Sequence, residues 1–537
     1  MNLLASLAAG LLLATSGPPL QWWPLQLVAF VPWWWAIAAR RAAHARVWPL
    51  GLLFALGYVA VTLLTVGFAA PILVVAVATL LQWTLATVLA GRLWQRGNVL
   101  DALAAAGAVT LVEIALWHLV PMFGTAQCFA LPLVDAPWLV AFAAFTGLGG
   151  VVFASLALQA LLVAALRGER RRAALAAFVV LAVAVAALDV VRWTRALGPA
   201  VRVAAFGFAG APPRADGKPF AERAAVDAAA AGCKLLVTPE TALRTGDERE
   251  PAIERLGAIA RAHGLHAAFG VWHDPSKDNR IWFFDAAGAL LGEYTKTHLV
   301  PFLEDYAAGD GALAIVPLGD TRLGGMICQD DNFTDLARGY GRAGVPLLAV
   351  PTNDWDAIRA FHLQSSAFRA IENGYAIVRA ASNGISALVS PRGELLASCD
   401  HVERGPQLVV ADLPLGDGVP TLYARAGDWL ILALGALLVA AAIVARRFTA
   451  ARPAFTSSAE LRQFVADTEA ALLAHGLDEA AAPLQHVQAT AFTTSSEWLG
   501  ELAVAARRVA ARGDVPPDVR SRLERIRAAV RRSWPGA

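Results

Sequence analysis

Apolar residues are arranged in two regimes along this chain. Up to about residue 195 they form long unbroken runs at 3–14, 23–39, 47–68, 72–90, 100–120, 138–166 and 173–191; another follows at 429–444. A membrane-spanning helix needs about 20 mostly apolar residues. The pattern therefore predicts a multi-span domain over 1–195 and a returning helix over 427–446, with the runs 3–14 and 429–444 short for the task. Between them, over 200–422, short apolar stretches alternate with amphipathic ones. Strands are expected at 201–206, 234–237, 266–269, 314–316, 347–350, 376–379 and 407–410, and helices at 220–231, 252–263 and 362–373. Strands alternating with helices predict an α/β domain. The last stretch, 447–537, is polar. Ser457-x-x-Glu460 and Thr494-x-x-Glu497 have the form of capping boxes, and Pro516-Pro517 precedes an Arg-rich helix, so a small three-helix tail is expected.

The charged residues orient these segments. Arg40, Arg41 and Arg46 follow the second run, Arg92 and Arg96 the fourth, Arg167 to Arg172 the sixth, and Arg446-Arg447 the eighth. Basic loops stay on the cytoplasmic side. The α/β domain then lies on the outer face and the tail in the cytoplasm. An alternative makes the first run a signal peptide with Ala14-Thr15-Ser16 near its cleavage site, which leaves that orientation unchanged. The tail has a solvated basic face or, alternatively, contacts anionic lipid.

Composition agrees with a membrane protein: 57% of the 537 residues are hydrophobic and 16% charged, with a mean hydropathy of +0.52. The net charge of +2, without a basic patch interleaved with aromatics, points away from nucleic acid. The four cysteines, Cys128, Cys233, Cys328 and Cys399, form no Cys-x-x-Cys pair, so neither a zinc site nor any other metal or cofactor is expected. A Cys233–Cys399 disulfide is possible in an oxidising compartment.

Three residues in the α/β domain carry candidate chemistry. Glu240 follows Val237-Thr238-Pro239, where proline ends a strand and holds the carboxylate at its tip. Lys296 follows the apolar run ending in Tyr294. Cys328 follows the strand 323–327, which a Gly-Gly pair allows to pack closely. Each alone is ordinary: a solvated Glu, a surface Lys, a buried Cys. Together at strand ends they are the parts of an acyl-transfer site. A thiol attacks only as thiolate, so it needs a base, and an ammonium lowers its pKa and stabilises the tetrahedral oxyanion.

These residues sit in a wider set: Thr238-Pro239-Glu240-Thr241-Ala242, Tyr294-x-Lys296-x-His298-Leu299-Val300-Pro301-Phe302-x-Glu304, Ile327-Cys328, Asn353-Asp354, Arg369 to Gly374, Val378-Arg379-Ala380, Asn383 to Ala387, Pro391-Arg392-Gly393 and Tyr423-x-Arg425-x-Gly427-Asp428. In the membrane part, Trp22-Trp23-Pro24-Leu25 and Thr146-Gly147 belong to it. The set resembles the nitrilase superfamily and, within it, the bacterial apolipoprotein N-acyltransferase family, over residues 1–447. The resemblance implies an α-helical membrane domain joined to an α-β-β-α sandwich, in the bacterial inner membrane with the sandwich periplasmic. It implies Cys328 as nucleophile, Glu240 as general base, Lys296 as oxyanion stabiliser and Glu304 as a second glutamate that orients the site. Phospholipid would donate an acyl chain to Cys328, and the amine of a diacylated lipoprotein would receive it.

Two departures from the family pattern bear on substrate. The family has Cys-Tyr-Glu at the nucleophile; here the residues are Cys328-Gln329-Asp330. The loop after Thr352-Asn353-Asp354, which helps admit lipid in the family, is short and runs from Trp355-Asp356 into Phe361-His362-Leu363-Gln364. Asn353, Trp355 and Asp330 are expected to contact substrate. The tail has no family counterpart. The alternatives are a membrane-tethered amidase or acyltransferase with another acceptor, and a scaffold on a degenerate nitrilase fold.

Overall fold

The computed structural model describes residues 1–67, 70–120, 124–211, 220–246, 248–451, 455 and 457–533. By internal packing the chain divides into two units, Met1–Ala442 and Ile443–Ala537. Among the described residues six helices are long and apolar enough to cross a membrane: Trp48–Val66, Ile72–Leu93, Val99–Leu119, Ala143–Arg167, Arg171–Thr194 and Trp429–Arg446. Each corresponds to a run expected from sequence.

The first two runs differ from expectation. The first forms the 15-residue helix Asn2–Ser16, shorter than a span. The run 23–39 is not one helix. Pro24 opens a 3₁₀ turn, Trp23–Leu27, and the helix proper, Val31–Ala42, has Pro32 in its first turn. Proline has no N–H to continue a helical ladder, so the chain breaks before it. Phe30, Trp33 and Trp34 are fully buried. Phe30 and Trp33 pack on Phe54 (ring centroids 5.7 and 5.5 Å) and on Trp83 (5.7 and 5.8 Å). Their hydrophobicity serves the bundle interior.

Thirteen strands are found among the described residues: β1 Ala200–Gly207, β2 Leu235–Val237, β3 Leu243–Thr245, β4 His266–His273, β5 Asp278–Phe284, β6 Leu290–Thr295, β7 Ile315–Leu318, β8 Thr321–Gly325, β9 Leu347–Asn353, β10 Ala376–Ser382, β11 Ile385–Val389, β12 Leu395–Asp400 and β13 Gln407–Pro414. They form two sheets, ordered β13-β1-β2-β4-β5-β6, with β3 also pairing β4, and β12-β11-β10-β9-β8-β7. The centres, β1-β2-β4 and β8-β9-β10, are parallel, and the flanks are antiparallel. Parallel strands buried on both faces explain the unbroken apolar runs of β2 and β9. The inner faces meet where β1 touches β10 and β2 touches β9. Helices Phe220–Ala230 and Arg249–His263 cover one outer face, and Thr334–Arg342 and Arg359–Asn373 the other. This is the expected α-β-β-α sandwich. All four cysteines are free thiols, so Cys233 and Cys399 are not bridged.

The sandwich is tied to the membrane helices by the residues around Thr146-Gly147. Gly147 has φ +69° inside helix Ala143–Arg167, and a Cβ there would lie 2.2 Å from the Tyr423 ring. The kink frees the Leu148 N–H, which donates to Glu372 Oε1 at 2.6 Å. Burial pushes the Glu372 carboxyl up to about 7 against the pull of Arg369. Glu372 and Tyr423 from the family-like segments are therefore anchors of the junction.

The second unit contains the helices Ser458–Ala474, Asp478–Ala489, Ser495–Ala510 and Pro517–Ser533, each packed on its neighbours, with the first also on the last. Its core includes Val465, Leu484, Trp498, Leu502, Val519 and Leu523. The sequence suggested three helices; Asp478–Ala489 contains Pro483, which disguises it. Thr494 and Glu497 form a reciprocal capping box.

Candidate active site

Glu240, Lys296 and Cys328 come from the C-terminal edges of both sheets. Glu240 lies just beyond β2, Lys296 directly after β6, and Cys328 three residues after β8. Open α/β sheets present functional residues at strand ends, where loops escape the repeating ladder. The Gly324-Gly325 pair brings β8 into close contact. A Cβ on Gly324 would meet Leu348 and Tyr340 at 2.7 Å, and one on Gly325 would meet Ile281 and Phe283 at 2.7 Å. The chain then turns sharply. Cys328 has φ +49°, a left-handed conformation that costs a side-chain-bearing residue energy, and a 3₁₀ turn Cys328–Asn332 follows.

Lys296 is fully buried, and its Nζ donates to Glu240 Oε1 and to Glu304 Oε1, both at 2.7 Å. Glu240 is 4% exposed; its Oε1 also accepts from Asn279 Nδ2 at 2.7 Å, and its Oε2 from the Asn353 N–H at 2.8 Å. Glu304 Oε2 accepts from the Val300 N–H at 2.7 Å, which closes its loop around the lysine. Burial alone would lower the Lys296 pKa; the Glu240 and Glu304 carboxylates hold the ammonium well above its ordinary value. Burial and then Glu240 push the Cys328 thiol well above its ordinary value, with Lys296 acting against them. The resting nucleophile is therefore a neutral thiol. It is buried and donates weakly to the Asn353 carbonyl, Sγ···O 3.7 Å. A base must take its proton during attack.

A cavity of about 420 Å³ opens over the thiol. Glu240, Glu304, Cys328, Asn353 and Trp355 line one part of it. Leu13, Tyr58, Val59, Val75 and Thr79, from the first helix and two spans, line another. Asp330 does not line it. That residue is fully buried, Oδ1 accepting from the His298 N–H (2.7 Å) and paired with His298 Nδ1 (2.9 Å), Oδ2 accepting from Tyr294 OH (2.8 Å) and the Ile327 N–H (3.1 Å). Both oxygens are spent on joining the nucleophile turn to the lysine loop, so Asp330 is placed as a brace rather than as a substrate contact. Sequence reasoning also missed Asn279 on β5, which ties Glu240 to Tyr306 OH (3.1 Å).

Residues 9–161 match the family described as apolipoprotein N-acyltransferase N-terminal domain, and residues 167–421 match carbon-nitrogen hydrolase. Similar proteins named apolipoprotein N-acyltransferase occur in Azotobacter vinelandii, 29% identical over 84% of this chain and 96% of that one, and in Pseudomonas syringae pv. tomato, 27% identical over 83% and 97%. One from Geobacter metallireducens is 30% identical over 42% of this chain, a match spanning about half that relative's length. The chain belongs to the apolipoprotein N-acyltransferase family. It is a multi-pass bacterial membrane protein and an acyltransferase of the carbon-nitrogen hydrolase superfamily. Among solved structures, an amidase from Nesterenkonia sp. is 23% identical and aligns over 41% of this chain and 93% of that one, with a TM-score of 0.35.

In this member, one group among the described residues has the spacing of metal ligands. The donor atoms of Cys328, Asp354 and His362 lie within 4.8 Å of one another. The set does not suit an ion, because its donors already face one another. His362 Nδ1 pairs with Asp354 Oδ1 at 2.6 Å and Nε2 with Asp331 Oδ1 at 2.9 Å, while Asp354 Oδ2 accepts from Arg379 at 2.7 Å.

Proposed function

We propose that the protein transfers an acyl chain from phospholipid, through a thioester on Cys328, to the N-terminal amine of a diacylated lipoprotein. The observation that carries this reading is the cavity. One continuous space joins a thiol and two carboxylates, Glu240 and Glu304, both bonded to the buried Lys296, to apolar walls contributed by membrane helices. A soluble substrate would not need those walls. For a lipid chain, they avoid exposure to water, which costs about 0.8 kcal/mol per CH₂.

In this mechanism, Glu240 takes the Cys328 proton as sulfur attacks the ester carbonyl of the phospholipid. Lys296 faces the oxyanion that forms. The C–O bond breaks, the lysophospholipid alkoxide recovers the proton from Glu240, and the acyl thioester remains. The neutral amine then attacks the thioester carbonyl, Glu240 receives the amine proton, and the C–S bond breaks. The proton returns to the Cys328 thiolate and the product is an amide. Glu304 and Asn279 hold Lys296 and Glu240 in place for both halves. Trp355 and Asn353, at the cavity wall, contact the lipid.

The test supplies phospholipid with a labelled acyl chain to membranes containing the protein. A labelled adduct should appear on Cys328, and the protein should add a third acyl chain to lipoproteins in a bacterium depleted of its own enzyme. A thioester without lipoprotein acylation would transfer the reading to an acyltransferase with another acceptor. Absence of any thioester would remove it.

The reading also requires the sandwich to face the periplasm from the inner membrane. Its support is the basic residues at Arg40–Arg46, Arg92–Arg96 and Arg167–Arg172. A topology reporter inserted at Gly210 should read outside and one at Arg170 inside. A cytoplasmic reading at Gly210 would rule out the lipoprotein acceptor.

A further inference from the structure

Next to the nucleophile turn lies a second set of buried charges that the acyl-transfer scheme does not use, although two of its members, Asp354 and His362, line the same cavity. His362, on helix Arg359–Asn373, is 5% exposed; Asp331, Asp354 and Arg379 are 0%, 4% and 0% exposed. The imidazole has acceptors on both sides. Nδ1 faces Asp354 Oδ1 at 2.6 Å, and Nε2 faces both Asp331 Oδ1 at 2.9 Å and the Cys328 carbonyl at 3.2 Å. A neutral imidazole carries only one N–H and would leave one of these contacts as lone pair against lone pair. The geometry therefore requires both nitrogens to donate, and the ring is an imidazolium.

The surroundings balance that charge. Asp331 comes from the nucleophile turn, Asp354 from the end of β9, Arg379 from β10 and Ser366 from the histidine's own helix. Arg379 donates to Asp354 Oδ2 at 2.7 Å and to Ser366 Oγ at 2.9 Å, and pairs with Asp331 at 3.4 Å; Ser366 also donates to Asp331. Two carboxylates meet two cations, so the cluster is neutral as a whole, as burial demands. Burial by itself would lower the His362 pKa, but Asp331 and Asp354 carry it up to about 9.

We propose that His362 is a positioning residue for the nucleophile: as a buried imidazolium it pins the Cys328 carbonyl and so holds the strained left-handed backbone that presents Sγ to the cavity. The strain at φ +49° persists only if the surroundings fix it, and the bond to the carbonyl joins the Asp330 brace in doing so. Asp331 and Asp354 serve to keep the ring doubly protonated. The inference rests on the reading above only in taking Cys328 as the nucleophile.

The test uses the full-length protein in lipid nanodiscs and two readouts. Alkylation of Cys328 by iodoacetamide reports the presentation of the thiol without any lipid substrate. Thioester formation with labelled phospholipid gives kcat and KM. His362→Gln, which fills similar space without charge, should slow alkylation and lower kcat for the thioester step by about tenfold or more, with KM within about twofold of the parent. The double variant His362→Gln/Asp331→Asn removes one charge of each sign. It should regain at least about threefold of the lost rate while remaining slower than the parent, because charge balance returns but the clamp does not. If His362→Gln fails to fold, a double variant slower than the parent in both readouts still supports the clamp. The proposal is overturned if His362→Gln matches the parent, if the double variant reaches the parental rate, or if the single and double variants are equally slow with KM raised alike. Altered alkylation without any phospholipid thioester in the parent would remove the lipid reading and leave the clamp standing.

Discussion

Cys328→Ala is expected to abolish the labelled thioester and all acylation of lipoproteins, while the protein still inserts and folds. Both halves of that result follow from the site. The sulfur carries the acyl group in both steps, and the nearby hydroxyls of Ser365 and Ser366, on helix Arg359–Asn373, do not line the cavity. Stability should change by less than about 1 kcal/mol, as for a small side-chain truncation, since alanine and cysteine both carry a Cβ and face the same penalty at φ +49°. Among the described residues, the hydrogen bond lost is the weak one to the Asn353 carbonyl. Cys233→Ala and Cys399→Ala should remain active. Cys128→Ala is the stricter control because Cys128 lines the same cavity; it too should remain active. Labelled-lipid mass spectrometry of the four variants checks the set, and turnover by Cys328→Ala would sink the mechanism.

Much of this site is legible in the chain because its parts lie close to one another in sequence. Lys296 and Glu304 are eight positions apart and belong to one loop, so a local motif contains both. The Cys328 turn follows a short apolar strand with its own glycine signal. What the sequence conceals is whatever depends on distant pairing. Asn279 is an unremarked residue on a hairpin strand until β4 and β5 pair and bring it to Glu240, 39 positions earlier. His362 is 34 positions from the carbonyl it holds. Asp330 sits beside the nucleophile and was expected to meet substrate, yet its direction is set by His298 and Tyr294, which approach from another strand end. The fold shows the same division. The parallel core strands have buried apolar stretches that read as strands, and β6 was marked by the run ending in Tyr294, whereas β5, β11 and β12 mix polar and apolar residues and escaped notice. The run 23–39 reads as one helix in sequence because burial inside a bundle and burial in lipid select the same residues; the prolines at 24 and 32 break it into a 3₁₀ turn and a shorter helix.

Lys296→Met should lower thioester formation by about 10²–10³-fold, corresponding to the roughly 3–4 kcal/mol typical of a lost oxyanion donor. It should also destabilise the protein, and the two effects have different origins. Lys296 is fully buried between Glu240 and Glu304, whose side chains are 4% and 19% exposed. Removing the ammonium leaves two carboxylates facing each other with little water, and breaking a buried pair in this way typically costs about 3–5 kcal/mol. A loss of activity in the single variant could therefore reflect local collapse as easily as missing charge. The double variant Lys296→Met/Glu304→Gln separates the two, because it restores a pocket with a single negative group, still bound by Asn279 and the Asn353 N–H. Denaturation in detergent should show most of the stability regained. Thioester formation should stay at the level of the single variant, since no cation returns to face the oxyanion. Recovery of activity along with stability would mean that Lys296 only holds the two glutamates apart, and the oxyanion would then need another donor.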